Sequence, residues 1–425
     1  MKRRTFLQST LASATLFSIV PRHVLGKGFT APNDQITLGI IGTGKQSHGL
    51  AGQFLKLDEC RVTAACDVYR QKLDRFVKQL NARYAEKLGR PSYNATTAHT
   101  DYHELLEKVD AVVIVTPDHW HAIPAIAAME SGKDVFCEKP LSHTVQEGRA
   151  MANAARKHGR ILQTGSMQRS WERFRHACEL VVNGYIGEVQ SVRVNVGDPA
   201  VPCDLPAEPG PEGLDWDAWL GPAPARPFNA VMAPPPSFDG FPMWRYYEEY
   251  GGGILSDWGA HMFDIVQWAL QMDHSGPVAF VPPPDRNAKR GMQFHYENGV
   301  VMTHEDFDRG WAVEFNGTEG QLQVSRSFLE TNPASIASQT IKPTETRLYK
   351  SDNHYQDWLQ CIKTRELPVC DVEIGHRSAS ICNVANIAYK LGTPLEWDPV
   401  KERSNNRAAN KLLGKKYRKP YSIGI

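Results

Sequence analysis

Asp257, His261 and Asp264 fall at i, i+4 and i+7 in Gly253-Ile254-Leu255-Ser256-Asp257-Trp258-Gly259-Ala260-His261-Met262-Phe263-Asp264. Read as a helix after the turn Gly251-Gly252-Gly253, the segment stacks the three side chains on one face. A carboxylate one turn from an imidazole can orient the ring and favour its protonated form, which is one way to build a general base. A buried, internally satisfied histidine in a packed helix fits the same residues. The rest of the chain shifts the balance towards chemistry.

Gly42-Thr43-Gly44 lies between an apolar run, Ile36 to Ile41, and a helical pattern carrying Leu50, Phe54 and Leu57. Glycines there allow a tight turn and let phosphates approach helix-end N–H groups. The third position of G-x-G-x-x-G is Ser47, so the match is degenerate. Asp67 ends the next apolar run, where a carboxylate would accept bonds from adenosine ribose hydroxyls. An acid there favours NAD over NADP, while Arg70 leaves NADP open. Thr116-Pro117-Asp118-His119-Trp120-His121 follows another apolar run, and Cys137-Glu138-Lys139-Pro140 a third. Loops at the carboxyl ends of parallel strands are where ligands bind. Thr116, Pro117, Trp120, His121 and Glu138 are therefore candidate cofactor contacts. The two histidines lack a third metal ligand at suitable spacing. Lys139 can hold or relay a substrate hydroxyl proton, although a lysine in a turn before a helix fits the tripeptide as well. Arg169, Arg245 and His354 could line a polyol site or serve as packing residues. Trp216, Trp219 and Trp244 could stack on sugar rings or pin a long loop.

Taken together, these segments resemble the Gfo/Idh/MocA family of glucose–fructose oxidoreductase and inositol dehydrogenase relatives. The likeness rests on Gly39-Ile40-Ile41-Gly42-Thr43-Gly44, Cys66-Asp67-Val68, Thr116 to His121, Cys137 to Pro140 and Gly251 to Asp264. It is nearest the exported bacterial branch, which shows segments similar to Gly165-Ser166-Met167-Gln168-Arg169-Ser170 and Glu373-Ile374-Gly375-His376-Arg377-Ser378. The resemblance implies a Rossmann domain followed by a predominantly antiparallel sheet domain, a nicotinamide cofactor and carbohydrate-like substrates. It makes Lys139 the active-site lysine, which also touches cofactor and substrate. It makes His261 the proton acceptor and substrate contact, with Asp257 its partner, and Gln168 a cofactor contact. Two features depart from the pattern: Lys45-Gln46-Ser47-His48 is bulkier than usual, and the proline-rich 199–242 stretch has no simple counterpart.

The elements that must position these residues follow from periodicity. Apolar runs at 36–41, 61–66, 111–115, 134–137 and 161–164 alternate with helical patterns, which reads as a parallel sheet covered on both faces. After residue 165 the pattern changes to alternating strands with short turns near 189–196, 279–281, 292–296, 300–304, 311–315 and 321–324, an antiparallel sheet on which helices near 352–364 and 373–391 pack. The fold class expected is α/β, a Rossmann-type domain (27–165) followed by an α+β domain with a large, mainly antiparallel sheet (166–398). The tail, 399–425, has no clear place. An open sheet face would favour a homodimer or homotetramer.

The chain has 425 residues, 41% hydrophobic and 22% charged, ordinary for a globular protein. Lys2-Arg3-Arg4-Thr5-Phe6-Leu7, the apolar stretch from Leu11 to Val20 and Val24-Leu25-Gly26 read as a twin-arginine export signal over 1–26. The apolar run is too short to span a bilayer. Without its basic residues the mature chain is weakly acidic, which favours neither nucleic acid nor an anionic membrane. The eight cysteines are scattered without C-x-x-C, and buried free thiols are expected. The activity expected is hydride transfer from a hydroxyl carbon of a sugar, glycoside or cyclic polyol to a nicotinamide cofactor in the periplasm or outside the cell. The alternative is redox-neutral cleavage of a glycosidic bond with the same cofactor. A non-catalytic cofactor-binding protein is a third class.

Overall fold

The structure, a computed structural model, describes residues 34–424. The export-signal segment lies outside the described residues. The first domain alternates β1 (Ile36–Ile41), α1 (Lys45–Leu55), β2 (Cys60–Cys66), α2 (Arg70–Lys87), β3 (Thr97–His99), α3 (Tyr102–Leu106), β4 (Ala111–Ile114), α4 (Ala122–Glu130), β5 (Asp134–Cys137), α5 (Val145–His158) and β6 (Leu162–Thr164). The six strands are parallel in the order β3-β2-β1-β4-β5-β6. Every residue of β4 and β5 is buried, which explains why these strands read as continuous apolar runs. The order reverses between β1 and β4, which opens a crevice at the carboxyl ends of those two strands.

The second domain carries α6 (Glu172–Val182), β7 (Val189–Asn195), α7 (Trp216–Leu220), α8 (Gly253–Ala269), β8 (Ala279–Val281), β9 (Met292–His295), β10 (Val301–His304), β11 (Ala312–Gly317), β12 (Gln321–Ser325), β13 (Leu329–Asn332), α9 (His354–Thr364), α10 (Val372–Leu391), β14 (Leu395–Asp398), β15 (Arg403–Ser404) and α11 (Arg407–Leu412). Its nine strands run β13-β12-β11-β7-β10-β9-β8-β14-β15, antiparallel except for the β7–β10 pair. Phe174, Phe263, Phe294, Phe315 and Ile381 belong to one core that joins α6, α8 and α10 to this sheet. Helix α8 is buried almost all round, as its sequence predicts for an internal helix. Gly253 opens it at φ +71°, and a side chain there would strike the backbone of Pro199 and Ala200.

One element departs from expectation, and two make contacts that periodicity left open. Helix α9 packs on the Rossmann domain, not on the second sheet: Trp358 lies 5.7 Å from both Phe54 and Phe136. Helix α10 shares a core with the second sheet through Ile381 and another with the Rossmann domain through Val372 and Ala379, riveting the two. The tail returns to the first domain, where the Lys415 ammonium meets Glu147 at 2.9 Å and Tyr421 packs edge-on against Trp120 at 5.3 Å. All eight cysteines are free, seven of them buried.

Candidate active site

A cavity of about 760 Å³ opens at the strand-order reversal and runs to α8. At one end stands the β1–α1 turn. Gly42 has φ +93°, and a side chain there would sit 2.7 Å from the Val115 carbonyl oxygen. In front of Gly44, by contrast, an added methyl group would meet nothing within 4 Å, so the helix end faces open space. Of the bulky residues that follow, Lys45 and Gln46 stand in the cavity wall, tied to neighbours, and His48 lies outside it. Lys45 pairs with Asp239 at 3.1 Å, Gln46 donates to Glu138 at 3.3 Å, and His48 packs edge-on against Phe76. Ser47, standing where a third glycine is usual, is buried and turns its hydroxyl onto the Gly44 carbonyl at 2.5 Å.

Asp67 is fixed by this turn. Its Oδ2 accepts from the Thr43 N–H and hydroxyl at 2.7 and 2.8 Å, and its Oδ1 accepts from the Tyr69 N–H at 2.9 Å. A carboxylate oxygen takes two bonds, so Oδ1 keeps one site for a ribose hydroxyl. Thr43 thus acts through Asp67. Arg70 is bound to Asp74 at 2.9 Å and lies outside the cavity lining, whereas Lys72 lines it. The open helix end, the spare acceptor on Asp67 and the partnerless buried hydroxyl of Thr116 fit a dinucleotide.

At the other end lie Lys139, Asp257, His261, Arg245, Trp258 and Arg326. The Lys139 ammonium donates to the Asp257 carbonyl at 2.8 Å and to its Oδ1 at 2.6 Å. An ammonium has three donors, so one remains. Burial works to raise the Asp257 carboxyl, but Lys139 and Arg245 hold it below its usual range. The His261 ring makes no hydrogen bond to a described residue, and its Nδ1 is buried without a partner. Burial, then Lys139 and Arg326, push its pKa well below 6.5. The imidazole is neutral at pH 7 and free to accept a proton.

Asp257 therefore serves Lys139 and not His261, which corrects the reading from the helix spacing. The i, i+4 relation brings two Cβ atoms together, but an ammonium offers the carboxylate a stronger partner than a neutral ring. Asp264, on the same face, binds Arg169 at 2.8 Å. Arg169 also holds Asp273 at 2.6 Å and is 1% exposed, so it braces the core and does not reach the cavity. His354 is likewise structural: its ring meets the Ser170 hydroxyl and the Thr164 carbonyl, each at 2.9 Å. Gln168 is buried outside the lining and accepts from Arg326 at 2.9 Å. His121 lines the cavity, with its ring nitrogens at the Pro140 and Thr116 carbonyls (2.9 and 3.0 Å), so it ties two loops together. Pro117, Trp120 and Glu138 also line the cavity. Burial raises the Glu138 pKa, against the pull of Lys139 and Gln46.

The 199–242 stretch forms a small core of its own, where Trp216 stacks on Trp219 at 4.7 Å with Phe228, Met232 and Tyr250 around them. Its end, Phe241 to Trp244, crosses the cavity beside Lys45. Trp219 and Trp244 line the cavity; Trp216 does not. Two participants were not among the expected contacts, although Asp118 stands inside the Thr116–His121 motif. Arg326 follows β12 and is held over Trp258 at 4.5 Å. Asp118 is buried at the start of the Thr116–His121 loop; burial, then Asp257, raises its carboxyl to about 8, although Arg245, Lys139 and Lys415 oppose the shift. Among the described residues no group of three or more His, Cys, Asp or Glu side chains could hold a metal.

Residues 36–166 match the family described as the oxidoreductase family, NAD-binding Rossmann fold, and residues 201–423 match its C-terminal alpha/beta domain. The Shewanella sp. (strain ANA-3) glycosyl hydrolase family 109 protein 1 is 36% identical over 142 residues, 32% of this chain and 30% of that protein. The chain thus spans under a third of the length of this relative. A 1,5-anhydro-D-fructose reductase of Ensifer adhaerens is 28% identical over 247 residues, covering 56% of this chain and 62% of the relative. The scyllo-inositol dehydrogenase structure from Lactobacillus casei, with bound NAD(H) and scyllo-inositol, shares the fold: TM-score 0.56 at 18% identity, over 85% of this chain and 99% of that one. The chain belongs to the Gfo/Idh/MocA oxidoreductase family, and its first domain is that family's NAD-binding Rossmann fold.

Proposed function

We propose that this chain is an NAD-dependent oxidoreductase that removes hydride from a hydroxyl-bearing carbon of a sugar, glycoside or cyclic polyol. The observation that carries this reading is the convergence of Lys139 and an unpaired, neutral His261 on the cavity that begins at the Gly42–Gly44 turn. Gly44 and the helix end behind it would hold the pyrophosphate, Asp67 the adenosine ribose, and the loop from Thr116 the nicotinamide side. Bound there, the nicotinamide supplies the hydride acceptor. Lys139 uses its remaining N–H to fix the carbinol oxygen, and Asp257 keeps that ammonium aimed. His261 takes the hydroxyl proton as the C–H bond breaks. A base in this role contributes about 10²–10⁴-fold, and holding the carbinol against the ring contributes the remainder. Purified protein incubated with a glycoside and polyol panel is expected to yield NADH and a keto product. Absence of any redox product in a nucleotide-loaded sample overturns the reading.

A second reading is favoured by the glycosyl hydrolase family 109 relative. Transient oxidation acidifies a neighbouring C–H, the glycosidic bond is eliminated, and re-reduction returns the cofactor. Free aglycone without net NADH identifies it. Export by the twin-arginine route rests on Arg3-Arg4 and the apolar stretch after them; changing both arginines to lysine should retain the protein in the cytosolic fraction. A homo-oligomer built on the second sheet is part of the same proposal, and light scattering tests it.

A further inference from the structure

Trp311 immediately precedes β11 and has φ +50°, a left-handed conformation unfavourable for a bulky residue. It is also 38% exposed. Core packing does not account for a half-bare indole held in such a conformation. The ring is nonetheless well placed. It stacks on Trp258 at 4.4 Å and 14°, and Trp258 stands 5.9 Å from the His261 ring. Arg326 lies over Trp258 at 4.5 Å and keeps that indole in position. Both indoles line the cavity that holds Lys139 and His261. The aromatic surface therefore runs from the proton acceptor outwards, with Trp311 one ring farther than Trp258.

Resting on the reading of this cavity as a carbohydrate site, we propose that Trp311 is the platform for a second ring, so that the substrate is a glycoside with a ring on each side of its linkage. A sugar ring presents apolar C–H faces and an aromatic aglycone presents a π face; both fit a flat indole. When the reacting carbinol sits at His261, its own ring comes beside Trp258 and the linked ring reaches Trp311. Its stacking on Trp258 fixes the indole before binding and so keeps the subsite pre-formed.

The test uses cofactor-loaded protein, calorimetry and matched ligands: a methyl glycoside, the 4-nitrophenyl glycoside and a disaccharide of the same sugar. The variant is Trp311→Gly, which accepts the left-handed backbone and removes only the ring. The two-ring ligands should bind the parent protein about 10-fold more tightly than the methyl glycoside, and the variant should lose that preference. Whether the disaccharide, the nitrophenyl ligand or both show it distinguishes sugar from aromatic aglycone. Equal affinities in the parent overturn the proposal, as does a preference that survives in the variant. A fall in oligomer mass on substitution also overturns it, because the ring would then be covered by a second copy. A binding preference that tracks Trp311 without redox turnover leaves the platform standing and removes the oxidoreductase reading instead.

Discussion

The division of labour between Lys139 and His261 rests on single bonds. Asp257 takes two of the three Lys139 donors, and nothing in the described protein takes the lone pair of His261. Lys139→Ala should lower kcat/KM by about 10²–10⁴-fold while nucleotide content is retained. The same lysine helps depress the His261 pKa, so the acid limb of kcat/KM lies well below pH 6.5 in the parent. In Lys139→Met the residual activity should show that limb displaced upwards, towards 6.5, because the repelling cation is gone. Asp118 carries the opposite linkage. Its carboxyl is raised from 3.8 to about 8 in the fold, so its contribution to stability is complete at acid pH and is lost as pH rises through about 8. Asp118→Asn should therefore be more stable than the parent by ~1 kcal/mol or more at pH 8, and indistinguishable at pH 4, in urea titrations.

At the scale of elements, the β1–α1 turn and the short turn before α6 show how little side-chain type says about role. Gly42→Ala places a methyl group against the Val115 carbonyl at a φ suited only to glycine. It should cost ~1–3 kcal/mol of stability and weaken NAD binding, read by chemical denaturation and by nucleotide retained on desalting. Arg169 looked equally suited to a polyol, yet it bridges Asp264 of α8 and Asp273 beyond it. Removing one partner of a buried ion pair leaves an uncompensated charge. Arg169→Leu should therefore lower stability by ~3–5 kcal/mol in denaturant titrations, with KM for any accepted substrate unchanged where the protein remains folded.

Across the whole molecule, the tail completes a surface begun almost three hundred residues earlier. Glu147 is 2% exposed and meets Lys415 at 2.9 Å; Tyr417 donates to the same carboxylate. Arg418 donates to the Gly221 carbonyl at 3.0 Å, and Tyr421 backs Trp120 at the cavity wall. Truncation after Asp398 strands the Glu147 carboxylate and removes Ala409 and Leu413 from the core. A lower melting temperature is expected, together with weaker NAD binding through the loss of backing for Trp120, measured by scanning calorimetry and nucleotide titration.

Periodicity alone dictated the alternation of strands and helices in the first domain, because fully buried parallel strands cannot hide their apolar runs and the glycine turn and Asp67 stand at fixed offsets from them. The strands from residue 279 to 325 were legible for the same kind of reason, a period of two with short turns. Chain-local pattern could not reveal where α9 and the tail dock, since an apolar stripe records that a face is buried and not what buries it. The same limit explains the active site. Asp257 and His261 are neighbours along α8, but a lysine 118 residues earlier captures the carboxylate. Arg326 and Trp311 arrive from β-sheet loops that carry no motif. The residue types were present in the sequence; their pairing was decided in three dimensions, where the strongest available charge partner wins.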